Sequence, residues 1–137
     1  MQICKHHLRI LIFLFFIAII GTKAVFAYAP LAEEKYKQGV NYSDQGNYSM
    51  AIMLFEEASR IDPSFNDVYF NMGILYEYTN QNDKAITAFE QLLKNNPSDT
   101  EAAFKIASIC YKSGKYKKAM SYIALINLPL IHISEPT

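Results

Sequence analysis

The stretch GNYSMAIMLFEEASRIDPS, residues 46–64, is echoed 34 positions later by NQNDKAITAFEQLLKNNPS, residues 80–98. The two segments share alanine, isoleucine, phenylalanine and glutamate at equivalent positions, and both end in Pro-Ser. The matched pairs are Ala51 and Ala85, Ile52 and Ile86, Phe55 and Phe89, Glu56 and Glu90, and Pro63 and Pro97. So many matches at one spacing predict an internal repeat.

The same spacing extends in both directions along the chain. Gly39 and Tyr42 recur as Gly73 and Tyr76, and the alanine recurs once more as Ala119. Apolar residues follow helical spacing in two blocks per unit, so each unit is predicted to form two helices. One pair of amphipathic helices cannot bury its apolar face alone, whereas stacked copies bury a continuous core. The sequence therefore predicts an all-α fold of stacked helix pairs.

The residues between the blocks predict how the helices end. Gly46, and Asn80 at the equivalent position, are suited to the left-handed conformation that closes a helix. Asp62 and Asn96 each precede a proline, which disfavours helical backbone and predicts the end of the second helix in each unit. The connections are short, so neighbouring helices are expected to run antiparallel.

This pattern resembles the tetratricopeptide repeat (TPR) family over about residues 32–126. The residues that carry the resemblance are Gly39, Tyr42, Ala51, Phe55, Ala58 and Pro63 in unit one, Tyr69, Met72, Gly73, Tyr76, Ala85, Phe89 and Pro97 in unit two, and Ile106, Ala107, Gly114, Tyr116 and Ala119 in unit three. The resemblance implies an α-solenoid of antiparallel helix pairs.

Some positions depart from the family pattern. Lys35 and Gln38 stand where the first unit would carry apolar residues, which predicts an exposed face on its first helix. Cys110 replaces the large aromatic residue in unit three, and Ile126 stands where a small residue is usual. We expect Cys110 to be a small buried hydrophobe.

The chain is predicted to consist of six consecutive segments. These are a signal peptide (1–27), a short linker (28–31), a first repeat (32–65), a second repeat (66–99), an incomplete third repeat (100–129) and a non-native tail (130–137).

The N-terminal segment has the features of an export signal. Lys5 and Arg9 precede an unbroken apolar run from Ile10 to Ile20, and a cleavage site is expected after Ala27. The alternative is an uncleaved N-terminal membrane anchor. In both cases the repeats are expected outside the cytoplasm, in the periplasm or secreted, and either free or membrane-anchored.

Composition argues against catalysis. Residues 28–129 contain no histidine and one cysteine, so a Ser–His–Asp or Cys–His apparatus is excluded there, and a zinc site lacks ligands. The glycines are spread between repeats and form no phosphate loop. We expect no enzyme activity, cofactor or metal. The formal net charge is zero, and nucleic acid is not an expected partner.

The first helices of stacked pairs are expected to line a concave groove. The candidate groove residues are Tyr36, Val40, Ser43 and Asp44 in unit one, Phe70, Ile74, Glu77 and Tyr78 in unit two, and Phe104, Ser108, Tyr111 and Lys112 in unit three. Resemblance to the TPR family implies that the groove takes an extended peptide or a helix of a partner protein. The alternative for Tyr36, Phe70 and Phe104 is ordinary packing between helices. With only Lys112 basic, a cluster that clamps a terminal carboxylate is not supported, and we expect a partner with an apolar stripe.

Charge differs between the repeats. Unit one has six acidic and three basic residues, unit two has five and two, and unit three has one and five. Lys112, Lys115, Lys117 and Lys118 cluster near the turn of unit three. Such a cluster suits an anionic partner or membrane headgroups, but it is also typical of a solvated edge.

Three functions are compatible with these features. The first is an exported, non-catalytic scaffold that binds a partner segment. The second is the docking arm of an exported enzyme whose catalytic domain lies beyond residue 137. The third is a structural array that stacks on copies of itself. The identity of the partner, the number of repeats and the oligomeric state are not specified by the sequence.

The C-terminal string LIHISEPT matches the translation of a transposon-end sequencing adaptor. We therefore expect residues from about Leu130 onward to be foreign, and the natural chain to continue past a truncated third repeat. Pro129 arrives two residues early relative to Pro63 and Pro97, and Ile123, Ile126 and Leu128 would need cover. His132 is given no functional role.

Overall fold

A computed structural model describes the backbone of residues 30–131 and the side chains of residues 30–126. The predicted signal peptide and residues 132–137 of the predicted tail lie outside the described residues.

Six helices account for the regular structure of residues 30–131, and this part of the chain contains no strand. The helices are α1 (residues 30–44), α2 (Tyr48–Ile61), α3 (Asn66–Tyr78), α4 (Asn82–Asn95), α5 (Thr100–Lys112) and α6 (Tyr116–Ile131). Helices adjacent in sequence pack against each other from α2 to α6, and α1 packs on α2 through Gly39 and Phe55. The prediction of an all-α repeat fold is confirmed.

The same turn joins the two helices of all three repeats. Gly46, Asn80 and Gly114 have φ values of 76°, 59° and 72°. In each turn the following N–H bonds back to a carbonyl five residues earlier, as in Asn47 N to Tyr42 O at 2.9 Å. This geometry satisfies the last carbonyls of the first helix. It confirms the left-handed conformation predicted for Gly46 and Asn80, and Gly114 adopts it as well.

Substitution of Gly46 tests this turn. Gly46→Asn is expected to change the free energy of unfolding by less than about 0.5 kcal/mol, because asparagine tolerates positive φ, as Asn80 does. Gly46→Val should cost about 1–2 kcal/mol, because a β-branched residue is strained there. Urea unfolding measures both. Equal costs for the two variants would show that the backbone angle does not select the residue.

The ends of the second helices also follow the prediction. α2 ends at Ile61 and α4 at Asn95, immediately before the Asp-Pro and Asn-Pro pairs. After α2 the carboxylate of Asp62 accepts hydrogen bonds from the backbone N–H and hydroxyl of Ser64 at 2.9 and 2.6 Å. These short-range bonds replace the helical ones that the proline removes.

The core depends on glycine facing phenylalanine. Phe55 and Phe89 are fully buried, and each lies against a glycine of the preceding helix. A Cβ atom on Gly39 would lie 2.5 Å from the Phe55 ring, and one on Gly73 would lie 2.5 Å from the Phe89 ring. The helices of the first two repeats can approach this closely only because these two positions lack side chains.

The outer face of α1 is polar, as predicted. Lys35 forms an ion pair with Glu57 at 2.7 Å, and Gln38 donates a hydrogen bond to Glu34 at 2.8 Å. The positions equivalent to Glu34 and Gln38 on α3 and α5 carry buried apolar residues that belong to the core. These residues are Val68 and Met72 on α3, and Ala102 and Ile106 on α5. The polar side chains therefore let α1 face water at the start of the stack.

The contact between repeats two and three is made differently from that between repeats one and two. In the first contact the Tyr76 hydroxyl donates to Glu56 at 2.8 Å. Cys110 occupies the equivalent position in repeat three and cannot make this bond, and the Tyr122 hydroxyl of α6 instead donates to Glu90 at 2.8 Å. Burial, together with the hydrogen bond to a carboxylate, raises the pKa of Tyr76 and of Tyr122 to about 12. Both contacts therefore contain a tyrosine–glutamate hydrogen bond between repeats, but its donor lies on α3 in the first contact and on α6 in the second.

Two boundaries differ slightly from the expected ones. The described part of α1 includes residues 30 and 31 of the expected linker, and α6 continues through Pro129 to Ile131. A proline removes one backbone donor, but it does not prevent the next residues from following a helical path. Cys110 is fully buried, as predicted, while Ile123 remains 38% exposed.

Candidate functional site

All twelve candidate groove residues lie on α1, α3 and α5, and none of them is buried. Two observations bring the inner faces of these helices together. The Asn71 amide of α3 donates to the Tyr36 hydroxyl of α1 at 2.9 Å. Lys112 of α5 lies 3.4 Å from the Glu77 carboxylate of α3. The first helices of successive repeats therefore form one continuous surface, called here the inner groove.

Tyr36 and Phe70 serve mainly to pack the repeats. The Tyr36 ring lies 5.7 Å from the Phe55 ring and 5.0 Å from the Phe65 ring, measured between centroids. The Phe70 ring meets Phe89 edge-on at 5.9 Å. Val40 and Ile74 are likewise half-buried against the core. For Tyr36 and Phe70 the structure therefore favours the packing alternative over a free contact surface.

Three aromatic side chains of the inner groove are open to solvent. Tyr78 and Tyr111 are each 66% exposed, and Phe104 is 62% exposed. Phe104 is equivalent to Tyr36 and Phe70, and the position equivalent to Phe55 and Phe89 is Ile123 in its repeat. Large exposed aromatic residues are typical anchors for a bound partner. The exposed aromatic surface of the described groove therefore lies on α3 and α5.

Two of these rings are held from one side by tyrosines of the second helices. Tyr78 packs edge-on against Tyr48 at 4.8 Å, and Tyr111 packs edge-on against Tyr116 at 5.4 Å. Each contact restrains one side of the ring and leaves the rest available. Tyr48 and Tyr116 were absent from the sequence-based set, although their spacing of two repeat periods was a signal that could have included them.

The charged groups of the inner groove largely neutralise each other. Glu77 is approached by the ammonium groups of Lys112 at 3.4 Å and Lys105 at 3.9 Å. Asp44 is exposed and takes part in no ion pair among the described residues. Because Lys112 is already paired with Glu77, the inner groove presents little positive charge to a partner.

The lysine cluster of the third repeat connects it to the second repeat. Lys115 lies 2.8 Å from Asp83, and Lys118 lies 2.9 Å from Glu90. The hydrogen bond from Lys115 lowers the pKa of Asp83. Burial would raise the pKa of Glu90, but hydrogen bonds from Lys118 and Tyr122 outweigh it and lower the pKa. Basic residues of repeat three thus form ion pairs with acidic residues of repeat two, although each exposed pair is individually weak.

The described residues contain no group of three or more His, Cys, Asp or Glu side chains placed to hold a metal ion. Among the helices of the same part of the chain, none is both long and apolar enough to cross a membrane.

The fold and its repeated turns define an α-helical repeat protein. Two family models, both described as tetratricopeptide repeat, match residues 35–65 and 70–126. The chain belongs to the tetratricopeptide repeat family.

One curated relative is the tetratricopeptide repeat and J domain-containing co-chaperone DNJ1 of Cryptococcus neoformans var. grubii. It is 32% identical over 75 residues, which are 55% of this chain and 14% of the relative. This chain therefore matches only a small part of that protein.

Solved structures with the same fold include three TPR-like chains of low sequence identity. MamA has a TM-score of 0.67 at 24% identity, covering 69% of this chain and 56% of MamA. The Yersinia enterocolitica type III secretion chaperone SycD, in complex with a peptide of the translocator YopD, has a TM-score of 0.66 at 19% identity, covering 72% and 76%. The second TPR of Spaghetti (RPAP3), bound to the HSP90 peptide SRMEEVD, has a TM-score of 0.64 at 18% identity, covering 71% and 90%. At these sequence identities, the similarity shows a shared fold and nothing more.

Proposed function

We propose that this protein is a non-catalytic scaffold that binds a segment of a partner protein in the inner groove. The observation that carries the proposal is the exposure of Tyr78 and Tyr111 on the first helices of two successive repeats. Exposed aromatic residues at the edge of a continuous groove bury a large area per side chain at a small entropic cost. Peptide-bound SycD and RPAP3, which share the fold, support this mode of binding.

The chemistry of the groove suits a partner with an apolar stripe. Its exposed rings offer apolar contact area, and Asp44 offers an unpaired carboxylate that favours a basic flank on the partner. Both extended and helical segments can place apolar side chains at the required intervals. An acidic, carboxylate-terminated segment fits less well, because Lys112 is engaged by Glu77.

We also propose that the repeats act outside the cytoplasm. The support is the basic and apolar pattern of residues 1–27. Head-to-tail stacking of copies has less support, because Glu34, Lys35 and Gln38 make the outer face of α1 polar. A second chain could not bury that face as Val68 and Met72 are buried between repeats.

Paired substitutions in the inner groove test the binding proposal. Peptides are selected from a displayed library against the unmodified chain and then measured by fluorescence anisotropy. Tyr78→Ser combined with Tyr111→Ser should weaken their binding at least about tenfold, because two exposed aromatic anchors are lost. The HSP90 peptide SRMEEVD should bind much more weakly than the selected peptides.

Met53→Ser is the matched control, since Met53 is an exposed apolar residue on α2, outside the inner groove. It should leave the affinity unchanged. Phe70 is avoided, because its contact with Phe89 would confuse loss of binding with loss of stability. Selected peptides that bind the double variant as tightly as the unmodified chain would refute the proposal.

A further inference from the structure

A second groove lies on the other face of α3, between α2 and α4. Its volume is about 590 Å³. Tyr69, Met72 and Tyr76 form its floor, and its walls come from the C-terminal end of α2 and from residues 84–91 of α4. This volume lies within the range of small-molecule sites, which are mostly apolar with a few polar groups. We call it the outer groove.

The outer groove is open because of one small residue. Ala88 lines it, and the equivalent position in repeat three is Tyr122. Tyr122 reaches back over α4, where its hydroxyl binds Glu90 at 2.8 Å. In the second repeat the Tyr76 hydroxyl of α3 donates the equivalent hydrogen bond to Glu56. No side chain of α4 is therefore needed to reach over α2. The opening is therefore specific to the contact between the first two repeats.

The charged groups that line the outer groove are both cationic. Arg60 lies on the α2 wall and Lys84 on the α4 wall. Neither belongs to an ion pair among the described residues. Lys84 lies 5.4 Å from the centre of the Tyr76 ring, whose hydroxyl donates a hydrogen bond to Glu56. Two cationic groups thus face a largely apolar floor.

We propose that the outer groove binds a small amphipathic carboxylate. Its hydrocarbon body lies on Tyr69, Met72 and Tyr76, and its carboxylate accepts hydrogen bonds from Arg60 and Lys84. Charge-assisted hydrogen bonds fix the orientation of the ligand, while burial of the hydrocarbon supplies most of the affinity. This site is separate from the inner groove and does not depend on the proposed partner binding.

Methionine methyl groups allow the site to be tested directly. Octanoate is titrated, below its micelle concentration, into protein labelled with ¹³C at the methionine methyls. The Met72 signal should shift and saturate, while Met53 and Met120, which are exposed elsewhere, should not. Octanol, which has the same chain length and no charge, should bind about tenfold more weakly. A shift at Met120 without one at Met72, or equal affinity for octanol, would overturn the proposal.

Two variants test separately the contribution of the cationic groups and that of the open volume of the outer groove. Arg60→Glu with Lys84→Glu should weaken octanoate binding more than about tenfold. Ala88→Leu should block the site, and leucine already occupies the equivalent position of repeat one as Leu54. Lys94→Glu is the control, because Lys94 is equivalent to Arg60 but does not line this groove. Unchanged affinity in both groove variants, with the fold intact by circular dichroism, would also refute the proposal.

Discussion

Gly73→Ala is expected to lower the free energy of unfolding by about 1–3 kcal/mol, which is the usual cost of overpacking a core. The added Cβ would lie 2.5 Å from the Phe89 ring, and Phe89 is fully buried and cannot move away freely. In an ordinary helix the same change would be stabilising by about 0.5–1 kcal/mol, because alanine favours helical backbone more than glycine does. A decrease in the free energy of unfolding, rather than an increase, would therefore show that α3 and α4 approach closely at Gly73.

A second substitution should rescue this variant. The third repeat carries Ala107 and Ile123 at the positions of Gly73 and Phe89, so its sequence combines a larger residue on the first helix with a smaller one on the second. Gly73→Ala combined with Phe89→Ile should be more stable than the sum of the two single changes predicts. For residues in contact, a coupling energy of about 0.5–3 kcal/mol is typical.

Urea unfolding of the four proteins in this cycle measures the coupling. Ser49→Ala serves as a control, because Ser49 is an exposed residue in the first turn of α2 and far from this contact in sequence. Additive effects of the two changes would show that Gly73 is not required by the Phe89 ring.

Cys110→Tyr is the second substitution with a large expected effect. It should cost about 1–3 kcal/mol, because the Cys110 side chain is fully buried and leaves no room for a ring beside Tyr122. Tyr122→Ala alone should also destabilise the chain, because it removes the hydroxyl that donates to Glu90.

The two changes together should largely cancel. Tyrosine at position 110 with alanine at position 122 reproduces the arrangement of the second repeat, where Tyr76 donates to Glu56 and Ala88 leaves space above it. The double variant should therefore recover most of the lost stability, as measured by thermal unfolding. If it is as unstable as the sum of the single variants, the two tyrosine positions are not interchangeable donors to the inter-repeat glutamate.

The same exchange connects the core to the outer groove. In the double variant, alanine at position 122 should open a second groove between α4 and α6, as Ala88 opens the one between α2 and α4. The residue at the position equivalent to Ala88 thus determines which tyrosine donates the hydrogen bond to the preceding repeat. It also determines whether a groove remains between the two second helices.

Much of the fold could be predicted from local pattern. The spacing of Gly39, Tyr42 and Phe55 and their copies predicts antiparallel helix pairs, and the structure contains them. Gly46, Asn80, Pro63 and Pro97 predict where the first four helices end, because the backbone conformation near these residues depends on the residue itself, whereas α6 continues through Pro129. Burial of Cys110 followed from its place on the packing face of a helix.

The candidate site was predictable only in part. Helical spacing places the twelve groove residues on the first helices, but it does not tell which of them remain accessible. Tyr36 and Phe70 are covered by neighbouring rings, whereas Phe104 at the equivalent position is open. Accessibility depends on residues of other elements, such as Phe65 for Tyr36 and Phe89 for Phe70, so the pattern within one helix cannot show it.

The sequence by itself determined the repeat, the helices, the left-handed turns and the glycine–phenylalanine core, because each rests on the conformational limits of single residues or on a regular period. Only the tertiary structure decided that the lysines of repeat three pair with Asp83 and Glu90, that Tyr122 replaces the missing hydroxyl at Cys110, and that Ala88 leaves a groove beside Arg60 and Lys84. These features arise from contacts between residues distant in sequence, whose distances are set by how the repeats stack.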